Sequence, residues 1–328
     1  MRIVWIFRNT NLNAFSIERV FLNIEKEIRK SIDVELFKAR SKKNFLADIF
    51  LLWKYKADIY HITGDITYYS IFLPKNKLVV TIHDIGHYIH TLKGIKRKIY
   101  GLLWIYLPIK RAARITCVSN KTLEDINTYF PKLAQIKKFT VIENSYPLEF
   151  IYTEKTFSKN KPRILQVGTS SYKNIEKVIQ ALYEIPCVLV LIGNLTNEQK
   201  KLLLANKIEY ENYFNVDEMK LFEEYKKSDM VTFISTGEGF GLPIIEAQAA
   251  GRPLITSDIS PLKDIAGDGA YLVNPNNIDD IRKSIQKVMN EDKTRQELID
   301  AGLKNVKKYN PINAAEKYLN IYKEVIHD

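Results

Sequence analysis

A short apolar run, Met230-Val231-Thr232-Phe233-Ile234, opens into Ser235-Thr236-Gly237-Glu238-Gly239-Phe240-Gly241-Leu242-Pro243 and then into an apolar stretch that stops at Gly251. No other part of the chain restricts the fold so tightly. Runs of this kind make buried strands, Pro243 suits the first turn of a helix, and a glycine just past the last turn ends one. Pro253-Leu254-Ile255-Thr256-Ser257 is a second strand-like run, so the segment reads as a βαβ unit. In open α/β sheets, ligands bind at the carboxyl ends of such strands.

Gly237, Gly239 and Gly241 permit positive φ and close backbone approach, and they feed a helix whose unpaired N–H groups and dipole favour an anion such as a diphosphate. Two carboxylates beside that anion would repel it. The conflict resolves if Glu238 and Glu246 face hydroxyl groups, one on a sugar and the other on a ribose, since carboxylates accept hydrogen bonds from polyols. Phosphate in the middle with sugar and ribose at its ends describes a nucleotide-sugar. The plainer alternative is a helix start with Glu246 on a solvated face.

The string Glu238-Gly239-Phe240-Gly241-Leu242-Pro243, followed by Glu246-Ala247, resembles the mark of the retaining glycosyltransferases of family 4, above all their bacterial polysaccharide and mannosyltransferase-like members. The resemblance implies an α/β chain of GT-B architecture: two Rossmann-like, doubly wound parallel-sheet domains facing a central cleft. An acceptor-binding domain would cover 1–148, with a crossing helix at 312–328, and a nucleotide-sugar-binding domain would cover 160–311. On the same precedent Glu246 holds the ribose, Glu238 holds the transferred sugar, and the backbone of Gly239, Phe240, Gly241 and Leu242 holds the diphosphate together with Lys173.

In Val167-Gly168-Thr169-Ser170-Ser171-Tyr172-Lys173-Asn174 a strand ends in a glycine turn, hydroxyls follow, and a lysine precedes the helical stretch 175–182. Such a turn can hold a diphosphate, with Lys173 neutralising leaving-group charge. An ordinary capped helix start is the alternative. The family often has Arg where Thr169 stands, so Lys173 would carry more of the phosphate, with Gly168 and Thr169 beside it. Gly193, in Val190-Leu191-Ile192-Gly193-Asn194, is assigned to turn geometry, and Asn144 to a turn between the domains.

In the first half, Val79-Val80-Thr81-Ile82-His83-Asp84 puts two polar groups just beyond a buried strand. This resembles the family's Thr-x-His-Asp, which implies that His83 faces the donor sugar or the acceptor while Asp84 orients its imidazole. A metal set of His83, His87 and His90 is the rival. Gly86 disfavours a helix there, no Cys or Glu joins the set, and the family's fold needs no metal; no metal or other cofactor is expected, and His87 and His90 are assigned to a loop. His61, ending a strand, either lines the acceptor side or packs as a loop histidine. The glycine-rich loop that many relatives have after the first strand is missing from Arg8-Asn9-Thr10-Asn11-Leu12-Asn13.

With 328 residues there is room for two α/β domains, and 46% hydrophobic content supports filled cores. Strands are expected over 3–7, 59–62, 78–82, 115–118 and 139–142, with helices over 17–29 and 121–129. A polar linker is expected over 145–162, and helical spacing of Ala314, Ala315, Tyr318, Ile321, Tyr322 and Val325 marks a last helix. Cys117 and Cys187 lie in apolar runs, which fits buried thiols in a reducing cytoplasm. The first residues read as a strand rather than an export signal, and the longest apolar run is too short to cross a bilayer.

Charge is uneven. Residues 1–150 hold 25 Lys/Arg against 13 Asp/Glu, whereas the remainder holds 24 against 25. Lys38, Arg40, Lys42 and Lys43 precede Phe45-Leu46, and Lys93, Lys96, Arg97 and Lys98 precede Tyr100, Leu102, Leu103, Trp104 and Tyr106. Such a mixture suits an anionic membrane surface, and it also suits a buried helix with solvated ends. Nucleic acid is not expected, since no zinc-finger, basic-zipper or RNP-type pattern occurs.

The resemblance implies transfer of a sugar, with retention, from GDP-mannose or a UDP-sugar to a glycan or lipid-linked glycan in cell-surface polysaccharide synthesis. The setting expected is the cytoplasm, at or near the inner face of the membrane. A glycosidase would not need a phosphate cradle. A nucleotide-sugar epimerase of the same fold and a non-catalytic glycan-binding or membrane-binding scaffold are the alternatives.

Overall fold

The computed structural model describes residues 1–9, 16–40, 42–135 and 138–327. Contacts divide the chain into one unit of Met1–Ser145 with Asn310–Asp328 and a second of Tyr146–Tyr309.

In the first unit, strands β1 (Arg2–Phe7), β2 (Asp33–Lys38), β3 (Ile59–Ile62), β4 (Leu78–Ile82), β5 (Arg114–Cys117) and β6 (Phe139–Val141) form one sheet in the order β2-β1-β3-β4-β5-β6. Every pairing is parallel. Parallel strands need crossover connections and are covered on both faces, which is why β3 and β4 are buried along their whole length.

The helix Pro311–His327 belongs to this unit, and the six apolar residues that mark it in the sequence are all buried. Its tyrosines also close a polar chain. The Trp5 indole N–H donates to the Tyr322 hydroxyl at 2.9 Å, that oxygen lies 2.7 Å from His61 Nδ1, and His61 Nε2 lies 2.8 Å from Thr81 Oγ1. Thr81 in turn meets Thr116 Oγ1 at 2.7 Å. Buried polar groups need such partners, and here residues from β1, β3, β4, β5 and the last helix supply them for one another.

In the second unit, strands β7 (Arg163–Val167), β8 (Val188–Ile192), β9 (Glu209–Tyr213), β10 (Met230–Phe233), β11 (Leu254–Ser257) and β12 (Tyr271–Val273) are likewise all parallel, in the order β12-β11-β10-β7-β8-β9. The stretch 145–162, expected as a linker, is packed instead onto this unit from Tyr146 onward. Phe150 is buried against Phe222 and Tyr225, and the Ser158 N–H reaches Asp229 Oδ1 at 3.1 Å. Cys117 and Cys187 are buried free thiols, both pushed up to about 12 chiefly by burial. Among the described residues no helix is long and apolar enough to cross a membrane.

Candidate active site

Strand order fixes where a ligand can enter the second unit. β7 lies between β8 and β10, so the chain leaves β7 for one side and returns through β10 on the other. Loops that diverge in this way leave a crevice at the strands' carboxyl ends. The loops there are 168–174 and 234–241, and they are tied together: the Thr236 N–H donates to the Tyr172 carbonyl at 2.8 Å. Beneath them two buried polar side chains brace the strands. Thr232 donates to Gln166 Oε1 at 3.0 Å, and Gln166 Nε2 donates to the Lys173 carbonyl at 3.3 Å.

Lys173 is the last residue of a single turn of 3₁₀ helix, Ser171–Lys173. Its side chain crosses Gly168, which holds a φ of 90°. A Cβ on Gly168 would come within 2.8 Å of Lys173 Cε, so glycine is needed both for the backbone conformation and for the lysine's path. The ammonium lies 4.5 Å from the centroid of the Phe233 ring and 2.6 Å from Glu238 Oε1. Thus the structure brings together Gly168, Lys173 and Glu238, which the sequence separates by up to seventy residues.

The helix beyond is Leu242–Ala249, with Pro243 in its first turn. Of the three glycines that permit positive φ, Gly241 adopts it, at 114°, and a Cβ there would stand 2.8 Å from Leu262. Gly237 has open space around it instead, so its freedom lies in clearance rather than in handedness. The Phe240 side chain is buried against Tyr309, which leaves its backbone as the part that can meet a ligand. Glu246 is 1% exposed, which removes the solvated-face alternative. Its Oε2 accepts a 2.8 Å hydrogen bond from the buried Tyr225 hydroxyl.

Thr169 departs from its expected role. Its hydroxyl donates to the Asn194 carbonyl at 2.6 Å and its own carbonyl accepts from Gln199 Nε2 at 2.9 Å. A phosphate oxygen needs a donor, and the hydroxyl proton of Thr169 is already committed to the wall, so a phosphate would meet its backbone N–H rather than its side chain. Gly193 has a positive φ of 141° and makes room for that wall, because a Cβ there would lie 2.6 Å from Thr169 Oγ1.

In the first unit, His83 Nε2 donates to the Thr63 carbonyl at 2.7 Å, which leaves Nδ1 as the accepting nitrogen of the neutral ring. Desolvation lowers its pKa. Thr63, not Asp84, orients the imidazole: the Asp84 carboxylate accepts the Gly86 N–H at 2.8 Å, closing a local turn. That turn starts one turn of π-helix at His87–Thr91, so His87 and His90 are helical rather than in a loop. Among the described residues no three His, Cys, Asp or Glu side chains are grouped to hold a metal ion. His61 is fully buried inside β3 and held by Tyr322 and Thr81, so it does not line an acceptor surface. Of the loop without glycine after β1, Arg8 and Asn9 are described, whereas 10–13 lie outside the described residues.

Residues 149–305, just under half of the chain, match the family Glycosyl transferases group 1. The second unit is a group 1 glycosyltransferase domain. O-antigen chain mannosyltransferase RfbU of Salmonella typhimurium is 26% identical over 232 residues, 68% of this chain and 63% of that protein. O-antigen chain mannosyltransferase B of Escherichia coli is 31% identical over 99 residues, 30% of this chain and 26% of that protein. The matched part therefore spans less than two thirds of either relative. The crystal structure of Anabaena HepE, in complex with UDP and glucose, superposes with a TM-score of 0.79 at 15% identity, over 99% of this chain and 100% of that one. At that identity the likeness shows the fold, which is GT-B.

Tyr225 is the residue of this glycosyltransferase domain that its motifs do not announce. It sits on the helix Glu218–Lys227, in a pattern that reads as core, and only the fold carries its hydroxyl to Glu246. Phe233, under Lys173, likewise passes for an ordinary strand residue.

Proposed function

We propose that the chain transfers a sugar, with retention, from a nucleoside diphosphate to a hydroxyl of a glycan or lipid-linked glycan. The observation that carries this reading is the pairing of Lys173 with Glu238 at the switch point of the second sheet. A cation for the leaving diphosphate and a carboxylate for the sugar's hydroxyls then lie side by side, at the amino-terminal end of a helix whose dipole favours an anion. Glu246, held by Tyr225, is assigned to the ribose, and His83, through Nδ1, to the acceptor hydroxyl.

In the reaction the bond between the anomeric carbon and the phosphate oxygen breaks and the acceptor oxygen bonds to that carbon. The acceptor proton leaves with a phosphate oxygen or a carboxylate. Retention is met either by a covalent glycosyl-carboxylate intermediate or by attack on the face the phosphate leaves. Leaving-group charge is assigned to Lys173 and the helix amides rather than to a metal, so turnover is expected to survive excess chelator.

The curated relatives' names favour mannose, and hence GDP-mannose, over a UDP-sugar, and cell-surface polysaccharide synthesis on the cytoplasmic side as the setting. A thermal-shift panel of UDP, GDP and ADP with their sugars tests donor binding, because a ligand bound only to the folded state raises its stability. Product analysis without acceptor tests the rest. Release of an epimerised nucleotide-sugar instead of glycan extension would replace transfer by epimerisation.

A further inference from the structure

Tyr225 and Glu246 meet at 2.8 Å from two different helices, Glu218–Lys227 and Leu242–Ala249, so the bond holds only while those helices keep their places. The segment 146–158 touches both. Phe150 packs on Phe222 and Tyr225 of the first helix, with ring centroids 5.0 and 5.3 Å away, and it meets the Tyr225 ring edge to face. Tyr152 lies over Gly251, just past the second helix, where a Cβ would stand 2.2 Å from Tyr152 Cδ2. Gly251 also holds a φ of 68°, so backbone and neighbour both favour glycine there.

Arg252 ties these contacts together. Its buried guanidinium donates to carbonyls: from Nε to Tyr225 at 3.0 Å, from Nη1 to Gly251 at 3.3 Å, and from Nη2 to Thr153 at 2.8 Å and Lys226 at 3.3 Å. Tyr225 and Lys226 lie in the last turn of their helix, where a cation is favoured, and Thr153 belongs to the segment. Further along, buried Asp229, directly ahead of β10, accepts the Ser158 N–H at 3.1 Å and the Lys155 ammonium at 2.8 Å. Tyr225 is thus held at its ring by Phe150 and at its carbonyl by Arg252. The aim of its hydroxyl is set from both ends.

We infer that the segment 146–158 sets the reach of Glu246 toward a ribose, and that Phe150 and Arg252 are positioning residues that act through Tyr225. The inference rests on the assignment of Glu246 to the donor's ribose, and it adds that the chain leaving the first unit at Ser145 determines how well that carboxylate works. A carboxylate turned away from its ligand keeps its charge but loses hydrogen-bond geometry. Affinity for the ribose hydroxyls then falls, whereas affinity for the diphosphate does not.

The full chain is titrated by calorimetry with whichever of GDP and UDP binds the wild type more tightly, and with the dideoxy analogue that lacks both ribose hydroxyls. Wild type is expected to favour the ribonucleotide by about tenfold or more, as a hydrogen bond to a charged group contributes. Phe150→Leu and Arg252→Lys should each cut that preference about fivefold, with affinity for the dideoxynucleotide unchanged. In a Tyr225→Phe background, Phe150→Leu should take nothing further away. Thermal unfolding identifies the folded variants, and Phe150→Met replaces Phe150→Leu if the latter does not fold.

A wild-type preference kept by either folded variant overturns the inference. So does an equal loss for both ligands, which a merely loosened unit would give, and so does a fully additive loss in the Tyr225→Phe background. A wild type that binds both ligands alike removes Glu246 from the ribose and the inference with it, whereas one that binds no nucleoside diphosphate overturns sugar transfer itself.

Discussion

Lys173 Nζ and Glu238 Oε1 lie 2.6 Å apart with both side chains largely buried, so the carboxylate occupies the place on the ammonium that a phosphate oxygen would take. Removing the charge but not the shape of Glu238 should free the lysine. Glu238→Gln is expected to bind nucleoside diphosphate about fivefold more tightly while turnover of the nucleotide-sugar falls about a hundredfold or more. Lys173→Ala should weaken the same binding by about 2–3 kcal/mol. Calorimetry with the diphosphate and initial-rate assays separate the two effects.

Gly168→Ala tests the lysine's path. The new Cβ would meet Lys173 Cε at 2.8 Å and would stand on a residue of positive φ. A stability loss of about 1–3 kcal/mol is expected from the backbone alone. Diphosphate affinity should fall as well, by about tenfold, when measured well below the unfolding midpoint. Unchanged affinity would mean that the lysine's route over this glycine is irrelevant to binding.

Tyr225→Phe deletes one oxygen, the donor to Glu246 Oε2. A buried acceptor left short of its partner costs about 1–3 kcal/mol in unfolding free energy. If Glu246 holds the donor's ribose, KM for the donor rises while kcat changes little, since the interaction is made equally in ground and transition states. A fall in kcat at constant KM would move Glu246 from ribose holding to the reacting centre.

Burial lowers the pKa of His61 from 6.5 to about 3, so the folded state holds this ring neutral where the unfolded chain would protonate it. The associated stability is present above pH 6.5 and is lost as the pH falls through the window toward 3. Desolvation acts on His83 in the same direction. Urea unfolding at a series of pH values should show stability falling by up to about 1.4 kcal/mol per unit for each such ring below that upper bound. His61→Gln should flatten the slope.

The strands that sequence pattern made visible are mostly those in sheet interiors. β3, β4, β10 and β11 are buried at every position and appear as mostly apolar runs without a charged residue. β2, β9 and β12 escaped, and each is at the edge of its sheet. Asp33–Lys38 starts and ends on exposed positions, and no position of Glu209–Tyr213 is fully buried, so both carry charged residues and their composition resembles the loops around them. In the site, local strings carried Gly168, Lys173, Glu238 and Glu246, because glycine turns and helix starts leave marks within ten residues. Tyr225, Thr63 and Asn194 left none, because each meets its partner only after the strands have been placed beside one another.

The hydrogen bond from Trp5 to Tyr322 links positions 317 apart and makes the second unit an insertion within the first. During vectorial synthesis residues 146–309 emerge, and can consolidate, while the earlier sheet still lacks the tyrosines that plug it. Maturation thus runs against chain order. Any truncation upstream of Asn310 would leave His61 and the Trp5 indole facing water in a half that has no means of sealing itself.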